Sequence, residues 1–189
     1  LTWDARLSWW NSDPIPVPLL GGATTSISLS GQEQDPAAPI DADVLQAVSA
    51  FLALSKSSLD EIEPHVWQEY VDIREEFADE EGFPKFDRAD LWRQVQLNGI
   101  SVDKRHKDDL VYVNIECNCD WELEHGLQLV LQSGVRWVRV SDYSGHLTEG
   151  DHYGCPELDA WMHEPGGKLP VRSREEIFAL LGKYKRGKR

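Results

Sequence analysis

Apolar positions alternate over the first ten residues, with Leu1, Trp3, Ala5, Leu7 and Trp9 set against Thr2, Asp4, Arg6 and Ser8. That is the period of a half-buried strand. Pro14, Pro16 and Pro18 lack ladder donors, so 13–18 reads as an edge or connector. Thr25, Ile27 and Leu29 resume the alternation after Gly21-Gly22 and are expected to pair back as a hairpin. Gly31 to Pro39 reads as a loop. From Asp41 the period changes. Val44, Leu45, Val48, Phe51 and Leu52 recur at helical spacing behind a capping Asp41 or Asp43. A second helix opens at Ser57 or Ser58 and carries Leu59, Ile62, Val66, Ile73 and Phe77. Pro64 either kinks or restarts it, and Gly82 and Pro84 end it.

Period two returns from Leu91. Trp92, Val95 and Leu97 lead into Asn98-Gly99, a dipeptide suited to a two-residue hairpin turn, followed by Ile100 and Val102. Val111, Val113, Ile115, Cys117 and Cys119 then alternate against Tyr112, Asn114, Glu116 and Asn118. A turn from Trp121 to Gly126 leads to Leu127, Leu129 and Leu131, and Ser133-Gly134 turns the chain again before Val135, Trp137, Val138 and Val140. Near the end, Ser173-x-x-Glu176 is a capping box ahead of Ile177, Phe178, Leu180 and Leu181, with Gly182 as the stop.

These elements predict one α+β domain over 1–182. Its parts are an N-terminal hairpin and loop (1–40), an acidic helical segment (41–82), an antiparallel sheet (91–150) and a short C-terminal helix (173–182). The sheet is expected to be a meander of about five strands with two or three helices packed on it. Residues 183–189 are a basic tail, expected to be unstructured.

The composition fits that picture, with 41% hydrophobic and 28% charged residues over 189 positions. No run approaches the roughly 20 apolar residues a membrane helix needs. The opening LTWDARLSWW carries charges and no small-residue cleavage site, unlike a secretory signal, so the expected location is the cytoplasm. Charge changes the picture more. The chain has 19 basic and 33 acidic residues, a net −14. That balance repels a phosphate backbone and disfavours nucleic acid as partner, and without a run of membrane length no membrane is expected as partner either. The charge is polarised: 14 acids and 4 bases lie between Asp41 and Asp90, a net −10, against 8 bases and 2 acids from Lys168 to Arg189. A basic protein is the expected partner. The residues chosen for it are Asp72, Glu75, Glu76, Asp79, Glu80 and Glu81, with Trp67 and Tyr70 as aromatic anchors. The plain alternative is a solvated acidic face.

The densest polar cluster is Cys119-Asp120-Trp121-Glu122-Leu123-Glu124-His125-Gly126. Asp120, Glu124 and His125 are candidate metal ligands there, so a divalent cation is the alternative to having no cofactor. A second polar loop holds Asp142, His146, Glu149, Asp151 and His152, and the two would form a carboxylate–histidine pocket if they adjoined. The structural alternative has Asp120 capping the turn, His125 donating to a backbone carbonyl and Trp121 filling the core. No catalytic set is proposed: G-x-S-x-G and G-x-G-x-x-G do not occur. Cys117, Cys119 and Cys155 are expected to be free thiols, because a C-x-C pair along one strand is awkward for a mutual disulfide.

The stretch IECNCDWELEHGLQLVLQSGVRWVRVSDYSGHLT resembles the heart of an uncharacterised bacterial domain family that carries a C-D-W-x-x-E-H-G-L turn between two strands. VWQEYVDIREEF and the segment from Leu91 resemble its helix and first strands, so the likeness spans about 58–150. It extends neither to the first 40 residues nor beyond Glu149. No activity goes with the family. The resemblance implies a small acidic protein of immunity-protein type, encoded beside a bacterial toxin and neutralising it by binding.

Overall fold

The computed structural model describes residues 1–30, 37–77, 79–163 and 168–187, with backbone only for 185–187. Most of the expected loop 31–39 lies outside the described residues. The strands are β1 (Thr2–Asp4), β2 (Trp9–Asn11), β3 (Ile15–Val17), β4 (Ala23–Thr25), β5 (Ile27–Leu29), β6 (Val95–Lys104), β7 (Val111–Cys119), β8 (Glu122–Gln132) and β9 (Arg136–Asp142). The helices are α1 (Ala42–Leu52), α2 (Leu59–Phe77), α3 (Glu149–His152), α4 (Pro156–Trp161) and α5 (Arg174–Gly187). The fold is α+β. Among the described residues, one sheet has the order β1-β2-β5-β6-β7-β8-β9, and β3 and β4 form a separate ribbon.

The meander is therefore β6 to β9, four strands, and the sheet is wider than the expected five. The extra width comes from the N-terminus. β5 lies parallel to β6, with Ile27 opposite Ile100 and Leu29 opposite Val102. Parallel neighbours need a long crossover, and α1 and α2 supply it. They pack on one face of the sheet, α1 over β6 and β7 and α2 over β9. Beneath them Val44, Phe51, Ile62, Val66 and Ile73 meet Val102, Val113, Ile115, Leu129 and Leu131, all buried.

Four local expectations are corrected. Residues 1–10 form two strands, because the Asp4 carboxylate accepts the Arg6 and Leu7 N–H groups at 2.9 and 3.2 Å and Ser8 takes φ 55°. The chain folds back so that Trp3 meets Trp10 edge-on at 5.3 Å. The second concerns Asn98-Gly99, which makes no hairpin. Neither residue has positive φ, and both lie within β6 at a bulge between Leu97 and Gly99. The long ladder with β7 continues on both sides and outweighs the dipeptide's turn preference. Third, the β7–β8 turn is confined to Asp120 and Trp121, so Glu122 to Gly126 belong to β8. Last, α5 passes through Gly182, which does not take the left-handed conformation of a stop. The helix thus takes in 183–187 of the expected tail, and 188–189 lie outside the described residues.

Other readings hold. Ser133 and Gly134, at φ 51° and 76°, turn β8 into β9. A Cβ on Gly134 would lie 2.1 Å from the Ala47 carbonyl oxygen, so glycine also lets α1 settle on this turn. The capping box closes, with Ser173 N–H donating to Glu176 at 2.9 Å and Glu176 N–H donating to Ser173 Oγ at 3.3 Å. All three cysteines are free and buried. Burial pushes the Cys117 and Cys119 thiols up to about 12.

Candidate functional site

The C-D-W-x-x-E-H-G-L stretch divides into buried and exposed positions. Trp121 is buried against Tyr70 and Phe86, at ring distances of 5.8 and 5.9 Å. Glu122 organises the start of β8: its carboxylate accepts the Glu124 and His125 N–H groups at 3.0 and 3.1 Å. Gly126 takes φ 71°, and a Cβ there would lie 2.4 Å from the Cys117 carbonyl oxygen. That contact explains the glycine, since β7 and β8 close up at the irregularity between Cys117 and Cys119. Asp120, Leu123, Glu124 and His125 remain exposed. His125 does not serve a backbone carbonyl; its ring sits 3.5 Å from the Glu122 carboxylate.

The expected partner residues also divide. Tyr70 is fully buried, its hydroxyl donating to the Pro84 carbonyl at 3.1 Å, so it is closed to a partner. Trp67 is half-buried and packs on Tyr70 at 5.0 Å. Asp72 is occupied, accepting from Gln68 at 2.8 Å and from the Arg174 N–H at 2.9 Å. Glu75, Glu76, Asp79, Glu80 and Glu81 are exposed.

What the fold brings together is the end of α2 and the β7–β8 turn. Between them lies a groove of about 380 Å³. Ile73, Phe77, Phe83, Pro84, Trp121 and Leu123 supply its apolar surface, and Glu80, Glu81, Asp120, Glu122 and Glu124 its carboxylates. Leu123 is 87% exposed, an unusual position for a leucine on a strand. The two candidate sets, some 40 residues apart in sequence, thus meet at one place. Leu123 and Phe77 were missed as candidates. The available signal was an apolar residue inside the acidic run Glu122-Leu123-Glu124.

The second polar loop serves other partners and does not line this groove. Glu149 pairs with Arg139 at 3.2 Å, and Asp151 with Arg105 at 2.7 Å and with Lys107. Among the described residues, no three His, Cys, Asp or Glu side chains gather as a metal site would require, and Asp120, Glu124 and His125 are not brought together as a ligand set. No helix among the described residues is long and apolar enough to cross a membrane.

Residues 1–147 match a family described as Domain of unknown function (DUF6985). The chain belongs to this family. The match begins at residue 1, so the N-terminal strands, which the resemblance left out, are part of the family domain, whereas α3, α4 and α5 follow it. No curated protein and no solved structure matches the chain.

Proposed function

We propose that this chain is a non-enzymatic protein-binding domain whose groove takes a basic segment of a partner protein. The observation that carries the reading is the composition of the groove: exposed Leu123 and Phe77 surrounded by five carboxylates. The apolar surface offers an anchor and the carboxylates steer a cationic partner to it. The partner's segment alternates lysine or arginine with a large apolar side chain. In the specific form of this reading the domain is a bacterial immunity protein, working in the cytoplasm, and its partner a basic toxin encoded beside it. The net charge of −14 and the polarity of the chain support a fast, salt-sensitive encounter.

The test uses a ten-residue peptide of alternating lysine and leucine, with an alternating glutamate and leucine peptide as control, followed by calorimetry and stopped flow. The lysine peptide is expected to bind, and the control is not. Association should slow steeply as the Debye length falls from about 30 Å at 0.01 M salt to about 8 Å at 0.15 M. Glu80→Lys, Glu81→Lys and Glu124→Lys together should weaken binding about tenfold or more, mostly through the on-rate. Leu123→Ser should act mainly on the off-rate. Equal binding by wild type and the triple variant would overturn the reading. The same comparison applies to the product of an adjacent gene.

A further inference from the structure

The two ends of α5 carry opposite surfaces. Its first turns form an open groove of about 510 Å³ with the second half of α2. Phe178 stands in this groove 56% exposed, with Glu75, Glu76 and Glu175 around it. Asp72 and Arg174 line it too, but both are occupied. Asp72 accepts the Arg174 N–H, and the Arg174 guanidinium pairs with Glu69 at 2.5 Å. Glu75, Glu76 and Glu175 are exposed, and among the described residues no cation pairs with them.

The other end of α5 is the counterpart. Tyr184 packs edge-on to Trp161 at 6.3 Å, and Trp161 keeps 38% of its surface exposed. Arg172 donates to the Trp161 carbonyl at 3.3 Å, and Lys183 is exposed. Lys185 and Arg186 follow, and from Ile177 to Arg189 there are five bases and no acid. Against them stands Glu157, the exposed carboxylate one turn before Trp161 on α4. One end of α5 thus offers an aromatic ring among carboxylates, the other an aromatic ring among bases. About 16 Å of helix separates Glu175 from Arg186, more than the two side chains span, so α5 cannot join its own ends.

We propose that this groove receives the basic end of α5 from a second copy of the chain, with Trp161 of one copy set against Phe178 of the other. The aromatic pair excludes water, and the charges flanking it fix the orientation. Because the two surfaces differ, the contact is head-to-tail, and each added copy leaves one surface of each kind open. The net charge of −14 opposes close approach of two copies, so association is weak and concentration-dependent. Neither Leu123 nor Phe77 lines this groove, so the site is distinct from the one assigned to a basic partner. Since α5 lies beyond residue 147, the contact belongs to this chain and not to the family domain alone.

Sedimentation equilibrium of the whole chain up to millimolar concentration tests this. At about 0.15 M salt a Debye length of about 8 Å screens the net repulsion and spares charges in contact. The average mass should there rise above 21.5 kDa with concentration, and fall back at about 1 M salt, where the Debye length is about 3 Å. Replacing Glu75, Glu76 and Glu175 by Gln should remove the rise although it lowers the net charge. Replacing Lys183, Lys185 and Arg186 by Gln should remove it as well. Mixed in equal amounts, these two variants keep one intact surface each and should form a dimer that grows no further. Phe178→Ser should weaken association about tenfold or more, as loss of an anchor does. Leu123→Ser should leave it unchanged, which separates this contact from the partner groove. A chain that stays at 21.5 kDa throughout would leave the groove to a foreign occupant and overturn the proposal. So would a mixture that remains monomeric, or an assembly that Leu123→Ser dissolves and Phe178→Ser does not.

Discussion

Toward α1 and α2, strands β6 to β9 present Ile100, Val102, Val113, Ile115, Leu127, Leu129 and Leu131, all buried in one apolar cluster. On the reverse face the same strands carry only a small apolar patch, Tyr112, Val130 and Val138 with Leu147 packed on it, and otherwise a chain of polar groups. Asn114 donates to Ser101 Oγ at 3.3 Å, Gln128 donates to Asn114 Oδ1 at 2.9 Å, and Arg139 donates to Gln128 and Glu149. Gln128 and Arg139 are as buried as any leucine of the opposite face. The two faces fail differently. An apolar face loses stability in proportion to the volume removed, because dispersion and burial are summed over many weak contacts. A buried polar chain is satisfied link by link, so deleting one member leaves its neighbours desolvated and unpaired.

The sharpest way to break this comparison is at Arg139. Arg139→Ala is expected to cost about 3–5 kcal/mol, because Glu149 stays buried without its counter-charge. The double variant Arg139→Met, Glu149→Leu should recover most of that loss in denaturant titrations. A double variant as unstable as the single one would mean that packing, not charge, holds this face. On the opposite face Leu129→Ala should cost about 2–5 kcal/mol, with no second substitution nearby that restores it.

Two titrating groups on α2 sharpen the contrast. His65 has its folded pKa lowered to about 4 by burial, so its contribution is present above the unfolded value near 6.5 and is lost as pH falls through about 4. Glu69 behaves oppositely. Burial raises its pKa to about 7, against the pull of Arg174 at 2.5 Å, so its contribution is present below about 4.5 and lost as pH rises through 7. His65→Gln should flatten the acid side of the stability curve and Glu69→Gln the neutral side, each by about 1–2 kcal/mol. A curve of unchanged slope in either variant would show that group to be solvated. The smallest effect is expected at the start of α5, where the capping box acts beside the longer-range hold of Asp72 and Glu69 on Arg174. Ser173→Ala should cost about 1 kcal/mol in thermal unfolding, the ordinary worth of a helix cap.

Legibility in the sequence followed the range of the interactions. The capping box spans Ser173 to Glu176 and closes as read, because its partners are three residues apart. Strands β7, β8 and β9 announced themselves because their helix-facing residues are uniformly apolar. Asn98-Gly99 misled because the local preference of a dipeptide is weaker than nine residues of ladder with β7. The candidate site was half legible. Glu80, Glu81, Asp120 and Glu124 were each identified, but as members of two unrelated sets, and the apolar Leu123 and Phe77 that give the groove its anchor were not.

By itself, then, the sequence determined the α+β class, the acidic helical segment, the antiparallel pairing of β7, β8 and β9 and the free thiols. Each is written in periodicity, charge or spacing within about ten residues of chain. Tertiary structure decided the rest. It set the parallel union of β5 with β6, the burial of Tyr70 and the meeting of the α2 end with the β7–β8 turn. It also buried Gln128, Arg139 and Glu149 as one hydrogen-bonded chain. The physical reason is the same in each case. Burial depends on what covers a residue, and the covering elements here, α2 and the segment from 143 to 163, lie far from those residues or beyond them in the chain.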